Sequence, residues 1–352
     1  MSAAAPRVVV ADDSALMRRI VSNSLTRAGV DVVGAAADGD EALAVCERVR
    51  PDAMTLDLAM PGLDGLGVLR RLKENGGARL PVVVVSAFSP TQGARAVDAL
   101  AEGAFDLVQK PAVGESLGDF ADNLVTKVRL AAEARQPGVA AARKPASPAA
   151  GGTVAATPRR PRASATSKVV VIATSTGGPR ALATLIPALP APLGKGTLIV
   201  QHMPAGFTSS LAARLDRSSK LSVREVEGGE AVEAGSALLA PGGSHLRISV
   251  DGRTTLSEEP EIGGLRPRAD LTIKDAARVW GDRLVLVVLT GMGNDGLDGA
   301  TEVRRRGGRI LAEAQSSCTV YGMPRAVVEA NLADDVMNLD QLAAAIRAEA
   351  GS

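Results

Sequence analysis

Two groups of residues able to do chemistry stand at the ends of apolar runs. In the first third of the chain, Asp12 and Asp13 close RVVVADD and Asp57 closes AMTLDL. Ser86 lies at the end of LPVVVVSA and Lys110 at the end of FDLVQK. Such runs read as strands of a parallel sheet, whose ligand sites lie beyond the strands' carboxyl ends. Three carboxylates gathered there repel one another unless a hard cation sits among them, and Mg²⁺ takes one or two carboxylates together with a phosphate oxygen. A carboxylate nucleophile, a metal and a lysine are the parts that form and hold an aspartyl phosphate. Asp57 would attack phosphorus while Mg²⁺ and Lys110 neutralise the phosphoryl oxygens. The plainer reading, acids serving as helix caps, does not explain five polar residues falling in order at strand ends.

The second group begins at Ser175, which follows the apolar run KVVVIAT and precedes Gly177-Gly178-Pro179. A strand, a glycine turn and a helix start expose a hydroxyl beside backbone N–H groups, although Ser-Thr-Gly-Gly is also ordinary helix-entry chemistry. His202 ends the run LIVQHMP and Asp295 lies in TGMGNDG after RLVLVVL. Ser, His and Asp at three strand ends can meet at one point, as acyl transfer through a triad requires. Ser175 is then the nucleophile, His202 the base and Asp295 the group that orients the imidazole, with Met292 and nearby N–H groups beside the oxyanion. The chain has two histidines; His245 opens a strand-like run and reads as structural. Gly291 to Gly296 also matches G-x-G-x-x-G after a strand, with Glu313 about 20 residues on. Asp295 would repel a pyrophosphate at that helix start, which disfavours a dinucleotide site.

The elements that must position these residues are of one kind. Residues 6–132 alternate five strand-like runs with amphipathic helical segments such as SALMRRIVSNSLTRAG, which predicts a doubly wound parallel sheet. Residues 133–166 are rich in Ala, Pro and Arg and hold too little large apolar surface to offset ordering, so a flexible linker is expected. Residues 167–350 resume the alternation and predict a second α/β domain. With 46% apolar residues over 352 positions, two cores are affordable to fold. A net charge of +1 with one Trp, one Tyr and four Phe argues against nucleic-acid binding. Cys46 and Cys318 lack metal-ligand spacing and read as free thiols in a reducing compartment. The N-terminus is unlike a signal peptide and no apolar run is long enough to span a bilayer, so a cytoplasmic location without membrane insertion is expected.

On ADDS at 11–14, LDLAMPGLDG at 56–65, VVSA at 84–87 and QKP at 109–111, the first domain resembles a response-regulator receiver. The resemblance implies a flavodoxin-like five-stranded fold, phosphorylation at Asp57, and Mg²⁺ held by Asp13, Asp57 and the Ala59 carbonyl with Asp12 acting through water. It also implies Ser86 and Lys110 as the switch pair and a cis bond before Pro111. On TSTGGPRAL at 174–182, IVQHMPAGFTSSLAARL at 199–215, LLAPGGSHL at 238–246, LTGMGNDG at 289–296 and YGMPRA at 321–326, the second domain resembles chemotaxis protein-glutamate methylesterases. That implies a Rossmann-like parallel sheet, a Ser175, His202 and Asp295 triad flanked by Thr176 and Met292, and no cofactor for the ester chemistry. Chemoreceptors are the implied substrates, through methyl-ester hydrolysis and glutamine deamidation. A chemotaxis histidine kinase is the implied phosphodonor, the unphosphorylated receiver the implied inhibitor, and a monomer the implied state.

Three positions depart from these patterns. Leu107 stands where receivers often carry an aromatic switch residue, Ala173 where a glycine is usual before the nucleophile, and Arg268 where a small residue is commoner.

Overall fold

The computed structural model describes residues 4–74, 80–87, 89–112, 116–135 and 168–351. In the first domain the β-branched runs become β1 (Arg7–Ala11), β2 (Asp31–Ala36), β3 (Ala53–Leu56), β4 (Val82–Ser86) and β5 (Asp106–Gln109). Strands β3 and β4 are buried along their whole length, as parallel strands covered on both faces must be. The order β2-β1-β3-β4-β5, with every pairing parallel, is the flavodoxin-like doubly wound arrangement.

Five helices cover that sheet: α1 (Ala15–Arg27), α2 (Gly39–Val49), α3 (Gly65–Glu74), α4 (Pro90–Glu102) and α5 (Leu117–Arg135). Their starts follow capping chemistry. Ser14 accepts from Met17 N–H, Asp38 from Glu41 N–H, and Ser89 precedes Pro90 in the first turn of α4. Helix α5 runs to Arg135, and residues 136–166 of the expected linker lie outside the described residues. The cis bonds precede Pro192 and Pro267; the bond before Pro111 is not among them.

The second domain is built on seven parallel strands in the order β14-β13-β12-β6-β7-β9-β8. These are β6 (Val169–Thr174), β7 (Gly196–Gln201), β8 (Ser222–Glu225), β9 (Ser236–Leu239), β12 (Leu284–Val288), β13 (Arg309–Glu313) and β14 (Asp335–Met337). A hairpin of β10 (His245–Ile248) and β11 (Thr254–Ser257) stands apart from them. The fold direction reverses at β6, the central strand, whose carboxyl end is therefore the crevice in which such sheets hold their sites.

Alternation along β6 divides the core. Val170 and Ile172 pack with α6 (Gly178–Leu185), α7 (Phe207–Ser218) and α11 (Leu339–Ala350). Val169, Val171 and Ala173 pack with α8 (Ala269–Trp280), α9 (Leu297–Arg305) and α10 (Met323–Glu329). The domains touch where α4 lies on α6 and α7, with Arg214 of α7 ion-paired to Asp98 of α4. Both thiols are free; Cys46 is buried in the first core and Cys318 is half-buried. No described helix is long and apolar enough to cross a membrane.

Candidate active site

Sheet register sets the site. Ala173 pairs with Val288 on one side and Val200 on the other, so the chain leaves the sheet at neighbouring points on three strands. Backbone hydrogen bonds continue past the strand ends: Leu289 N–H to Ala173 C=O (2.9 Å), Ser175 N–H to Thr290 C=O (3.0 Å) and His202 N–H to Thr174 C=O (3.0 Å). Ala173 itself is regular strand, and its methyl is buried in the core. Beyond Ser175 the chain turns through Gly177 at φ +83° into α6. A Cβ at Gly177 would overlap the Thr319 side chain, so both conformation and space demand glycine there.

His202 and Asp295 meet: imidazole Nε2 lies 2.7 Å from Asp295 Oδ2. An ionised carboxylate only accepts, so Nε2 carries a proton, which in the neutral ring leaves the lone pair on Nδ1. That Nδ1 is buried and has no hydrogen-bond partner. Among the described residues no hydrogen bond joins Ser175 Oγ to His202. Met292 is 45% exposed on the 291–295 loop, at the rim of the same crevice.

Asp295 is 2% exposed, and its carboxylate is saturated with donors. Oδ2 also accepts from Ala269 N–H (2.7 Å), while Oδ1 accepts from Asp270 N–H and Gly296 N–H (both 2.9 Å). Burial opposes its charge, but the His202 bond and charge and these N–H donors overcome that and hold its carboxyl at about 2. The N–H groups of Gly296 and Gly299, at the start of α9, are taken by Asp270 Oδ1 (3.0 and 2.8 Å). Protein carboxylates thus fill the place a pyrophosphate would need, and the glycine-rich loop is not a dinucleotide site.

Several residues beyond the sequence reading organise this crevice. Thr290 Oγ donates to Thr176 C=O (2.9 Å) and accepts from Val320 N–H (3.0 Å), tying the serine turn to the 320 loop. Gln201 Nε2 donates to the carbonyls of Ser175 (3.0 Å) and His202 (2.9 Å), which fixes those two backbones together. Buried Glu313 accepts from Thr290 N–H (2.8 Å), and burial pushes its carboxyl upward. An uncharged or amide side chain just before a known loop carries no periodic signal, so only tertiary contact reveals these roles. His245 is fully buried, accepting at Nδ1 from Arg268 N–H (3.1 Å) with Nε2 at Pro260 C=O (3.2 Å).

In the first domain, Asp12, Asp13 and Asp57 offer oxygens within 4.8 Å of one another, with Asp13 exposed and the other two buried. Lys110 Nζ bridges Asp12 (2.8 Å) and Asp57 (2.9 Å). Burial raises the Asp12 carboxyl above its ordinary value against the pull of Lys110. Burial also works against the Lys110 charge, but its bonds to both carboxylates win and push the ammonium upward. Ser86 is buried at the end of β4, and its hydroxyl donates to Ala87 C=O (3.2 Å). Leu107 is buried in β5, already facing inward.

A family model described as CheB methylesterase matches residues 170–346, and one described as Response regulator receiver domain matches residues 8–120. The protein-glutamate methylesterase/protein-glutamine glutaminase of Symbiobacterium thermophilum is 44% identical over 360 residues, covering 98% of this chain and 97% of that one. A protein so named from Myxococcus xanthus, number 5, is 43% identical over 347 residues, covering 97% of each. The crystal structure of the Thermotoga maritima CheB methylesterase catalytic domain is 42% identical, covering 51% of this chain and 96% of that one, with a TM-score of 0.49. This chain belongs to the protein-glutamate methylesterase/protein-glutamine glutaminase family.

In this methylesterase-family chain the receiver reaches Thr176, the residue after Ser175. Thr176 Oγ donates to Asp106 Oδ2 (2.5 Å), and Asp106 is held from its own side by Lys127 (3.0 Å). Val320, beside the serine turn, packs against the receiver's α1 and α5 core. Gln109, Phe120 and Asn123 of the receiver share a cleft with Pro204, two residues past His202.

Proposed function

We propose that the chain is a receiver-gated serine hydrolase. Its substrates are glutamate 5-O-methyl esters on chemoreceptors, which it hydrolyses with release of methanol, and receptor glutamines, which it deamidates. The observation that carries this reading is the His202–Asp295 pair, with Nδ1 buried and unpartnered at the strand edge where Ser175 emerges. Ser175 attacks the ester carbonyl and passes its proton to His202 Nδ1. The imidazolium returns the proton to the departing methoxide, and a water activated by the same nitrogen then frees the glutamate. Asp295 holds the ring and offsets its positive charge. N–H groups at the start of α6 and around Met292 stabilise the oxyanion. The relatives' names and the matched domains support the substrate class.

Control comes from the receiver. The donor set at its acidic cluster fits Mg²⁺: hard carboxylate oxygens, an exposed Asp13 as the point of entry and a lysine opposite. Asp12, Asp13, Asp57 and the Ala59 carbonyl would hold the ion, which when bound offsets the charge of the phosphoryl oxygens. Asp57 is the phosphoacceptor, a chemotaxis histidine kinase the donor, and Ser86 and Lys110 read the phosphoryl group. The Asp106–Thr176 bond and the seating of α4 on α6 and α7 support an inhibited unphosphorylated state. The test is methanol release from methylated chemoreceptor membranes by wild type and by Ser175→Ala, each given acetyl phosphate and Mg²⁺. Release by wild type alone is expected; equal release by both moves the chemistry off Ser175.

A further inference from the structure

Arg268 is the residue that caps the start of α8, and its side chain is spent on the acidic partner of His202. Nε lies 2.8 Å from Asp295 Oδ1, and Nη2 donates to Asp270 Oδ2 at 2.9 Å. Nη1 reaches the Ile262 carbonyl (3.2 Å), and the backbone N–H is pinned by His245. The two carboxylates are 2% and 4% exposed, adjacent and both in need of a counter-charge. Burial, then the charge of Asp295, raises the Asp270 carboxyl. A planar guanidinium can bridge two carboxylates in fixed geometry, which an ammonium cannot.

We propose that Arg268 is a positioning residue of the hydrolytic site, clamping Asp295 and Asp270 side by side so that Oδ2 faces His202 and only one net negative charge lies behind the imidazole. This rests on the triad reading above. Removing the cation leaves two carboxylates behind His202, which stabilises the imidazolium and makes the ring a stronger base. Removing Asp270 leaves Arg268 balancing Asp295 alone, with no net charge behind the ring, and has the opposite effect. The neighbouring charged groups keep their partners in all variants: Asp298 is paired with Lys274, Glu313 accepts from Thr290 N–H, and Asp106 is paired with Lys127 on the receiver side.

The experiment is the pH profile of kcat/KM for methanol release by the intact chain, with methylated receptor membranes, acetyl phosphate and Mg²⁺. In Arg268→Ser the acid limb should move up by ~0.5–1 pH unit, from the loss of one partly screened charge. In Asp270→Asn it should move down, with KM unchanged in both. Arg268→Lys should restore the limb but not the full kcat, because the charge returns without the fork. An unmoved limb in Asp270→Asn and Arg268→Ser, with only kcat lowered, makes the cluster merely structural and overturns the proposal. A raised KM at an unmoved limb makes Arg268 a substrate contact and also overturns it. Should Arg268→Ser not fold, the limb shift is read from Asp270→Asn alone. Ser175→Ala runs in parallel: if it retains activity the triad reading falls, whereas a dead Ser175→Ala with an unmoved limb sinks the Arg268 role alone.

Discussion

At the residue scale, the proposed catalysis depends on one imidazole with its two nitrogens in different states. Asp295 fixes that difference, and its carboxyl, held at about 2, stays ionised well below the ordinary carboxylate range. Its pull below the ordinary 3.8 adds stability that is present above that value and lost as pH falls toward 2. On the acid side, kcat/KM should therefore carry no loss from Asp295 above about pH 4; a two-proton slope there would mean that Asp295 titrates too. Asp295→Asn should leave the fold intact and lower kcat by about 10⁴, since an amide can present its N–H to the ring and select the wrong tautomer. A loss of less than tenfold, measured by methanol release, would remove Asp295 from the mechanism. His202, Ser175 and Asp295 were legible in the sequence because each ends or follows an apolar run. Thr290, Gln201 and Arg268 were not legible as contacts, because nothing in their spacing says which neighbouring loop they bind.

At the scale of elements, the turn from β6 into α6 carries the strictest demand. Gly177 combines a left-handed φ of +83° with contact against Thr319. Gly62 has a similar φ of +68° but open space around it. Gly62→Ala should therefore cost only the conformational strain, about 1 kcal/mol. Gly177→Ala should cost at least ~2 kcal/mol, adding a clash to the strain, and should lower kcat because Ser175 is two residues away. Urea melts of the two variants decide this; equal losses would mean that the Thr319 contact yields freely. Strands β1, β3, β6, β7 and β12 could be read from their β-branched runs, as could the amphipathic helices between them. Of the hairpin, β10 was read as the strand-like run opening at His245, whereas the short, partly exposed β11 carries weak periodicity. The short edge strands β8 and β14 gave little signal for the same reason.

For the whole molecule, the receiver's contact with the serine turn is the feature that joins two sites on one chain. Asp57→Asn should leave the hydrolase at its basal rate whether or not acetyl phosphate and Mg²⁺ are present. Asp106→Ala should raise the basal rate, because the Thr176 hydroxyl is released from the receiver. Activation of Asp57→Asn equal to that of wild type, or an unaltered basal rate in Asp106→Ala, would detach regulation from these contacts. The sequence by itself determined two doubly wound domains, the acidic cluster, and a serine, a histidine and an aspartate at strand ends, because strand period and strand-end chemistry are local properties of the chain. Tertiary structure decided the rest. It tied Asp295 to His202, placed Arg268 and Asp270 behind that pair, filled the glycine-rich helix start with carboxylates and set Asp106 on Thr176. Those pairings join residues between 25 and 93 positions apart, or in different domains, and depend on strand order and domain seating, which no local pattern encodes.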